Sequence, residues 1–69
     1  MRISQLIHKM DKDEEIIIND ESKPINKMQL YRGSVRGIKR DDPINRMHVN
    51  RCFACDNIMV VLVGERSNR

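Results

Sequence analysis

Six consecutive apolar residues, Ile58 to Val63, constrain this chain more than any other feature. They read as the second arm of a hairpin that turns at Asp56-Asn57 and whose first arm begins near Arg46. Neighbouring side chains of a strand point to opposite faces, so a strand apolar on both faces must be covered on both. A chain of 69 residues is hard pressed to supply two covers.

Length makes the same point from another side. A single α+β domain over residues 1–65 is expected, with a flexible tail at 66–69. A domain of this size buries only about 60% of its unfolded surface and needs help. Two cysteines allow one bridge at most, Trp is absent, and Tyr31 and Phe53 are the only aromatics. Self-association is the remedy left, so a homodimer or higher oligomer is expected.

The segment after Met1 is amphipathic and has no apolar core with a cleavage site, so it does not read as a secretory signal. No apolar run approaches the roughly 20 residues that span a bilayer, so no membrane partner is expected. The expected compartment is the cytoplasm, with both thiols reduced. The net charge of +3 is unevenly placed: residues 1–24 hold four basic and six acidic side chains, and residues 25–69 hold nine and four. The sheet-forming part is thus the basic part, and its field attracts nucleotides, nucleic acid or acidic protein surfaces.

In chain order, Ile3, Leu6, Ile7 and Met10 fall on one face of a helix, with Ser4 as a candidate N-cap. A helix of about two turns does not persist alone and must dock on the sheet. Ile16-Ile17-Ile18 between polar flanks predicts a short strand. Residues 20–27, with Pro24, read as a loop. Residues 27–38 predict a second strand, with Met28, Leu30 and Arg32 on one face and Tyr31, Gly33 and Val35 on the other. Gly33 and Gly37 within it suggest a bulge, a bend or close approach of another backbone. K-R-D-D-P, residues 39–43, is a charged turn. In the hairpin's first arm, Met47, Val49, Phe53 and Cys55 alternate toward one face, and Arg51 interrupts that apolar row. In the second arm one set, Ile58, Val60 and Leu62 or Met59, Val61 and Val63, should meet the helix. The other set is expected to meet a second copy around a two-fold axis. The architecture expected is a short N-terminal helix on a small curled antiparallel sheet of about four strands.

His48, Cys52 and Cys55 form H-x-x-x-C-x-x-C, one ligand short of a structural zinc site. In a strand the two cysteines project to opposite faces, so the reading is two inert thiols and no metal or other cofactor. Redox chemistry wants the first cysteine of C-x-x-C at a helix N-terminus, and no such helix is indicated. No nucleophile elbow, phosphate-binding loop, dinucleotide fingerprint or zinc-protease motif occurs, so an enzyme is not expected. The best functional constellation is basic. Arg32, Arg36, Arg40, Arg46 and Arg51 are suited to bidentate grip on phosphate, and Tyr31 could stack on a base.

The I-S-Q-L-I opening, then D-E-E-I-I-I, Y-R-G-S-V, D-D-P-I-N-R and D-N-I-M-V-V-L-V, covers residues 3–64 and resembles small phage-encoded accessory proteins of unassigned role. The resemblance implies a factor made during infection in a bacterial host cell, of the kind that counters host defence. Such a factor either blocks a defence protein or sequesters a signalling nucleotide. The function expected first is non-enzymatic sequestration of a small anionic ligand, such as a nucleotide, at a basic sheet surface or subunit interface. Inhibition of a host protein through the apolar arm or an edge strand comes second. Nucleic-acid binding through the basic hairpin comes third.

Overall fold

The computed structural model describes residues 1–64. The tail expected at 66–69 lies outside the described residues. Helix α1 (Ile3–His8) is followed by strands β1 (Glu15–Asp20), β2 (Gln29–Ser34), β3 (Val49–Cys55) and β4 (Ile58–Val63). Short 3-10 turns occupy Ile25–Lys27, Val35–Gly37 and Pro43–Arg46. No helix among the described residues is long and apolar enough to cross a membrane.

One short helix on a four-stranded sheet is the α+β architecture expected, but the sheet is mixed, not antiparallel. Its order is β2-β1-β4-β3, and the central pair β1/β4 is parallel. Burial sets the strand order. The two most apolar segments, I-I-I and I-M-V-V-L-V, take the centre, and the more polar β2 and β3 take the edges. Antiparallel pairing inside each hairpin leaves the direction of the β1/β4 junction open, and here the two strands run parallel. The chain must then return across one face between β2 and β3, and this return brings Val35 and Ile44 into the core.

The core lies between that face and α1. Ile3, Ile16, Ile18, Val61 and Val63 are fully buried there, with Leu6, Val35 and Ile44 beside them. Ile7 on the helix and Met10, two residues past its end, pack beside them half-buried. The helix starts two residues earlier than Ser4 as N-cap would allow. Arg2 is the N-cap residue, and its amide donates to the Gln5 side-chain carbonyl at 2.8 Å. Ile3 is pinned there because its amide donates to the Met47 carbonyl at 3.0 Å.

The second strand is shorter than residues 27–38, because both of its ends wind into 3-10 turns. Its irregularity is not at a glycine: the β1/β2 register shifts between Ile18 and Asn19, leaving Leu30 as the extra residue. What approaches Gly33 and Gly37 is the Tyr31 ring, not another backbone, and a Cβ on Gly37 would strike the Tyr31 hydroxyl. That hydroxyl donates to the Ser34 carbonyl at 2.6 Å.

Beyond β1 the chain is held by Asp20, which is buried. Its Oδ1 accepts from the Ser22 hydroxyl at 2.6 Å and the Ser22 amide at 2.9 Å. The Ser22 hydroxyl bond, opposed by burial and helped by the Ser22 amide and Lys23, holds the Asp20 carboxyl below its ordinary 3.8. A carboxylate whose pKa is lowered by folding stabilises the fold above its unfolded pKa, and that contribution is lost as pH falls through the folded value. Urea midpoints measured between about pH 5 and about pH 2.5 should therefore fall, and Asp20→Asn should flatten part of that fall.

Candidate functional site

Among the described residues no helix covers the opposite face of the sheet. Cross-strand pairing defines its composition. Arg32 on β2 pairs with Ile17 on β1, Ile17 with Val60 on β4, and Val60 with Phe53 on β3. The next row is Asn19, Leu62 and Arg51, and the row on the other side is Glu15, Ile58 and Cys55. Ile17, Ile58, Val60 and Leu62 are half-buried by one another, and Phe53 is 49% exposed. On the covered side, by contrast, Ile16 pairs with Met59, Ile18 with Val61 and Asp20 with Val63. The set that meets the helix is thus Met59, Val61 and Val63.

A bulge at Asn50 decides which β3 side chains join the open face. The β3/β4 register passes from Val49↔Val63 to Arg51↔Leu62, so one β3 residue is left over. A one-residue shift exchanges the two faces of a strand. Val49 therefore packs toward the core with Met47, while Arg51, Phe53 and Cys55 lie on the open face. The single apolar row expected over Met47, Val49, Phe53 and Cys55 is divided by this bulge. Asn50 anchors it, donating to the Gly64 carbonyl at 2.8 Å and to Glu21 Oε2 at 3.1 Å.

The arginine set is dispersed. Arg32 and Arg51 share the open face but stand on opposite edge strands and in neighbouring rows, three strand spacings across and two residues along, roughly 16 Å apart at the backbone. Arg36 is engaged by Asp13 at 2.7 Å in an ion pair whose side chains are 64% and 86% exposed. Arg40 and Arg46 are exposed on the β2–β3 return, and Arg46 belongs to the 3-10 turn that contacts α1. Asn45 staples that return, donating to the carbonyls of Lys39 at 2.7 Å and Arg40 at 3.1 Å. Tyr31 packs against the core on the covered side, its hydroxyl committed to Ser34. A shallow depression of about 550 Å³ runs beside α1, lined by Met1, Ser4, Gln5, His8 and Lys9, and none of the six expected ligand residues borders it. Cys52 and Cys55 are exposed on opposite faces, and among the described residues no three His, Cys, Asp or Glu side chains gather where they could hold a metal ion.

Ile17 is the face residue that sequence reasoning missed. Within I-I-I nothing marks the middle residue as the outward one; only the register against β4 does so. Asn19 Oδ1, on the same face, is enclosed without a hydrogen-bond partner among the described residues.

The fold and this face define a small α+β domain with an open-faced mixed sheet. Set against protein-family models, curated proteins and solved structures, the chain matches none.

Proposed function

We propose that the chain is a non-enzymatic binding protein that docks the open face of its sheet on an acidic protein surface and so occupies that partner. The observation that carries this reading is the face itself. It has an apolar floor of Ile17, Ile58, Val60 and Leu62, an exposed Phe53, and a guanidinium at each margin. An apolar centre with a charged rim is the anatomy of a protein interface, and aromatic and arginine side chains carry most of the energy in such contacts. The sign of the partner follows from the charges: Arg32 and Arg51 outnumber Glu15 on this face. A contact of this face with its own copy would set four cations against two anions, which favours an acidic partner over self-packing.

A small anionic ligand such as a nucleotide would use the same two arginines. Ligand sites are concave, however, and the two arginines stand on opposite edge strands of one sheet face, roughly 16 Å apart at the backbone. The resemblance to phage-encoded accessory proteins adds the expectation that the protein partner belongs to host defence.

The test is affinity capture from host lysate with wild type and with the double variant Arg32→Glu, Arg51→Glu. Both positions are exposed, so the variant should keep its circular dichroism and melt within a few degrees of wild type. Wild type should retain one protein, and the variant should bind it at least about tenfold more weakly. Equal retention by both would contradict the proposal. So would a nucleotide or nucleic acid released from wild type with no protein retained.

A further inference from the structure

The open edge of β3 carries a second inference, independent of what docks on the sheet face. β3 is an outer strand, and its outward edge is only partly occupied. The chain's own N-terminus takes the first part: Arg2 bridges His48, the Val49 amide donates to the Met1 carbonyl at 2.8 Å, and the Ile3 amide donates to the Met47 carbonyl. That cover stops at Val49. Among the described residues nothing pairs with the edge beyond it, and residues 51–55 are all exposed. The other edge strand differs. In β2 only Gln29 and Arg32 are exposed, and 3-10 turns close both ends.

Natural edges are usually blunted by proline, lysine, bulges or a covering segment. Residues 51–55, R-C-F-A-C, contain no proline, no lysine and no bulge, and their single charge stands at the first position. The geometry also shows which backbone groups are free. Asp56 and Asn57 have φ of 51° and 66°, a two-residue turn of type I′. Such a turn closes on a hydrogen-bonded pair, here Cys55 and Ile58, and antiparallel pairs alternate from there. Arg51, Phe53 and Cys55 therefore bond toward β4, and the amides and carbonyls of Cys52 and Ala54 point outward.

We infer that residues 51–55 pair antiparallel with the same residues of a second copy across a two-fold axis, continuing two four-stranded sheets into one of eight. The register is fixed by the segment. Its midpoint is Phe53, so pairing it fully with itself sets Phe53 opposite Phe53 and Cys52 opposite Ala54 of the other copy. The parity agrees: Cys52 and Ala54 are the residues with free backbone groups, and they form the hydrogen-bonded pairs. The two Phe53 side chains then meet in the closer, non-hydrogen-bonded pair on the open face, where aromatic partners stabilise a sheet. Centring on Cys52 instead would carry the partner's Cys55 onto Val49, where Met1 already sits.

The experiment is sedimentation analysis of the full chain, with cysteine cross-linking in a Cys52→Ser, Cys55→Ser background. Wild type is expected to be a dimer. Phe53→Cys in that background should form a disulfide-linked dimer on mild oxidation, and Val60→Cys, at the centre of the open face, should not. Ala54→Pro removes an outward amide on each copy and leaves the β3–β4 ladder intact. It should raise the dimer's Kd at least about 30-fold with unchanged circular dichroism. A monomeric wild type, no cross-link through Phe53→Cys, a cross-link through Val60→Cys, or an Ala54→Pro variant that folds and remains a dimer would each overturn the inference. If Ala54→Pro does not fold, the two cysteine variants decide.

Discussion

Ile18→Ala is expected to unfold most of the protein at physiological temperature. Ile18 is fully buried between Tyr31 on β2 and Val61 on β4, under α1. Truncating such an isoleucine costs about 2–5 kcal/mol through lost burial and the cavity left behind. At about 0.05–0.15 kcal/mol per residue, the whole domain holds only about 3–10 kcal/mol. The neighbouring substitution Ile17→Ala should cost less than about 1 kcal/mol, since Ile17 lies on the half-open face and leaves no closed cavity. Urea unfolding of the two variants side by side reads the difference. Equal losses would mean that both faces of β1 are enclosed.

Gly64→Ala is expected to be nearly as damaging, although the residue is small and close to the end of the sheet. Gly64 has φ of 103°, a conformation that side-chain-bearing residues rarely adopt, and a Cβ there would collide with the Asp20 carboxylate. Asp20 cannot yield freely, because it is buried and holds the Ser22 amide and hydroxyl. The Gly64 carbonyl also accepts from Asn50, so a shift of Gly64 disturbs the bulge that sends Arg51 and Phe53 to the open face. Strain of this kind costs on the order of 1–3 kcal/mol before the lost hydrogen bonds are added. The expected result is a melting temperature lower by about 10 °C or more. A shift of only a degree or two would mean that the turn after β4 relaxes without consequence.

Much of the architecture was legible in short patterns. The Ile3, Leu6, Ile7, Met10 spacing located the docking stripe of α1, and the Asp56-Asn57 turn fixed the β3–β4 hairpin. The double-sided apolar run of β4 announced a face that α1 would not cover. The parallel junction was not legible, because it depends on which strands pair across the chain and no local signal encodes that choice. The bulge at Asn50 left one trace, Arg51 standing in an otherwise apolar row, and the anchoring of Asn50 to Gly64 and Glu21 accompanies the register that resolves it. For the site, two of the five expected arginines, Arg32 and Arg51, share the open face, and arginine content alone does not separate them from Arg36, Arg40 and Arg46. Arg32 and Arg51 reach the open face through strand register, whereas Arg36, in the 3-10 turn after β2, pairs with Asp13 just before β1.

The most direct test of a one-sided core is methyl NMR of isoleucine-labelled protein with a soluble paramagnetic agent. The nine isoleucines sample both faces and the surface. Ile3, Ile16 and Ile18 are fully buried, Ile17 and Ile58 lie half-buried on the open face, and Ile25 is 87% exposed. Broadening should be strongest at Ile25, clear at Ile17 and Ile58, and absent at Ile3, Ile16 and Ile18. Protection of Ile17 and Ile58 equal to that of Ile16 and Ile18 would show the face covered in solution and would contradict its role as the docking surface.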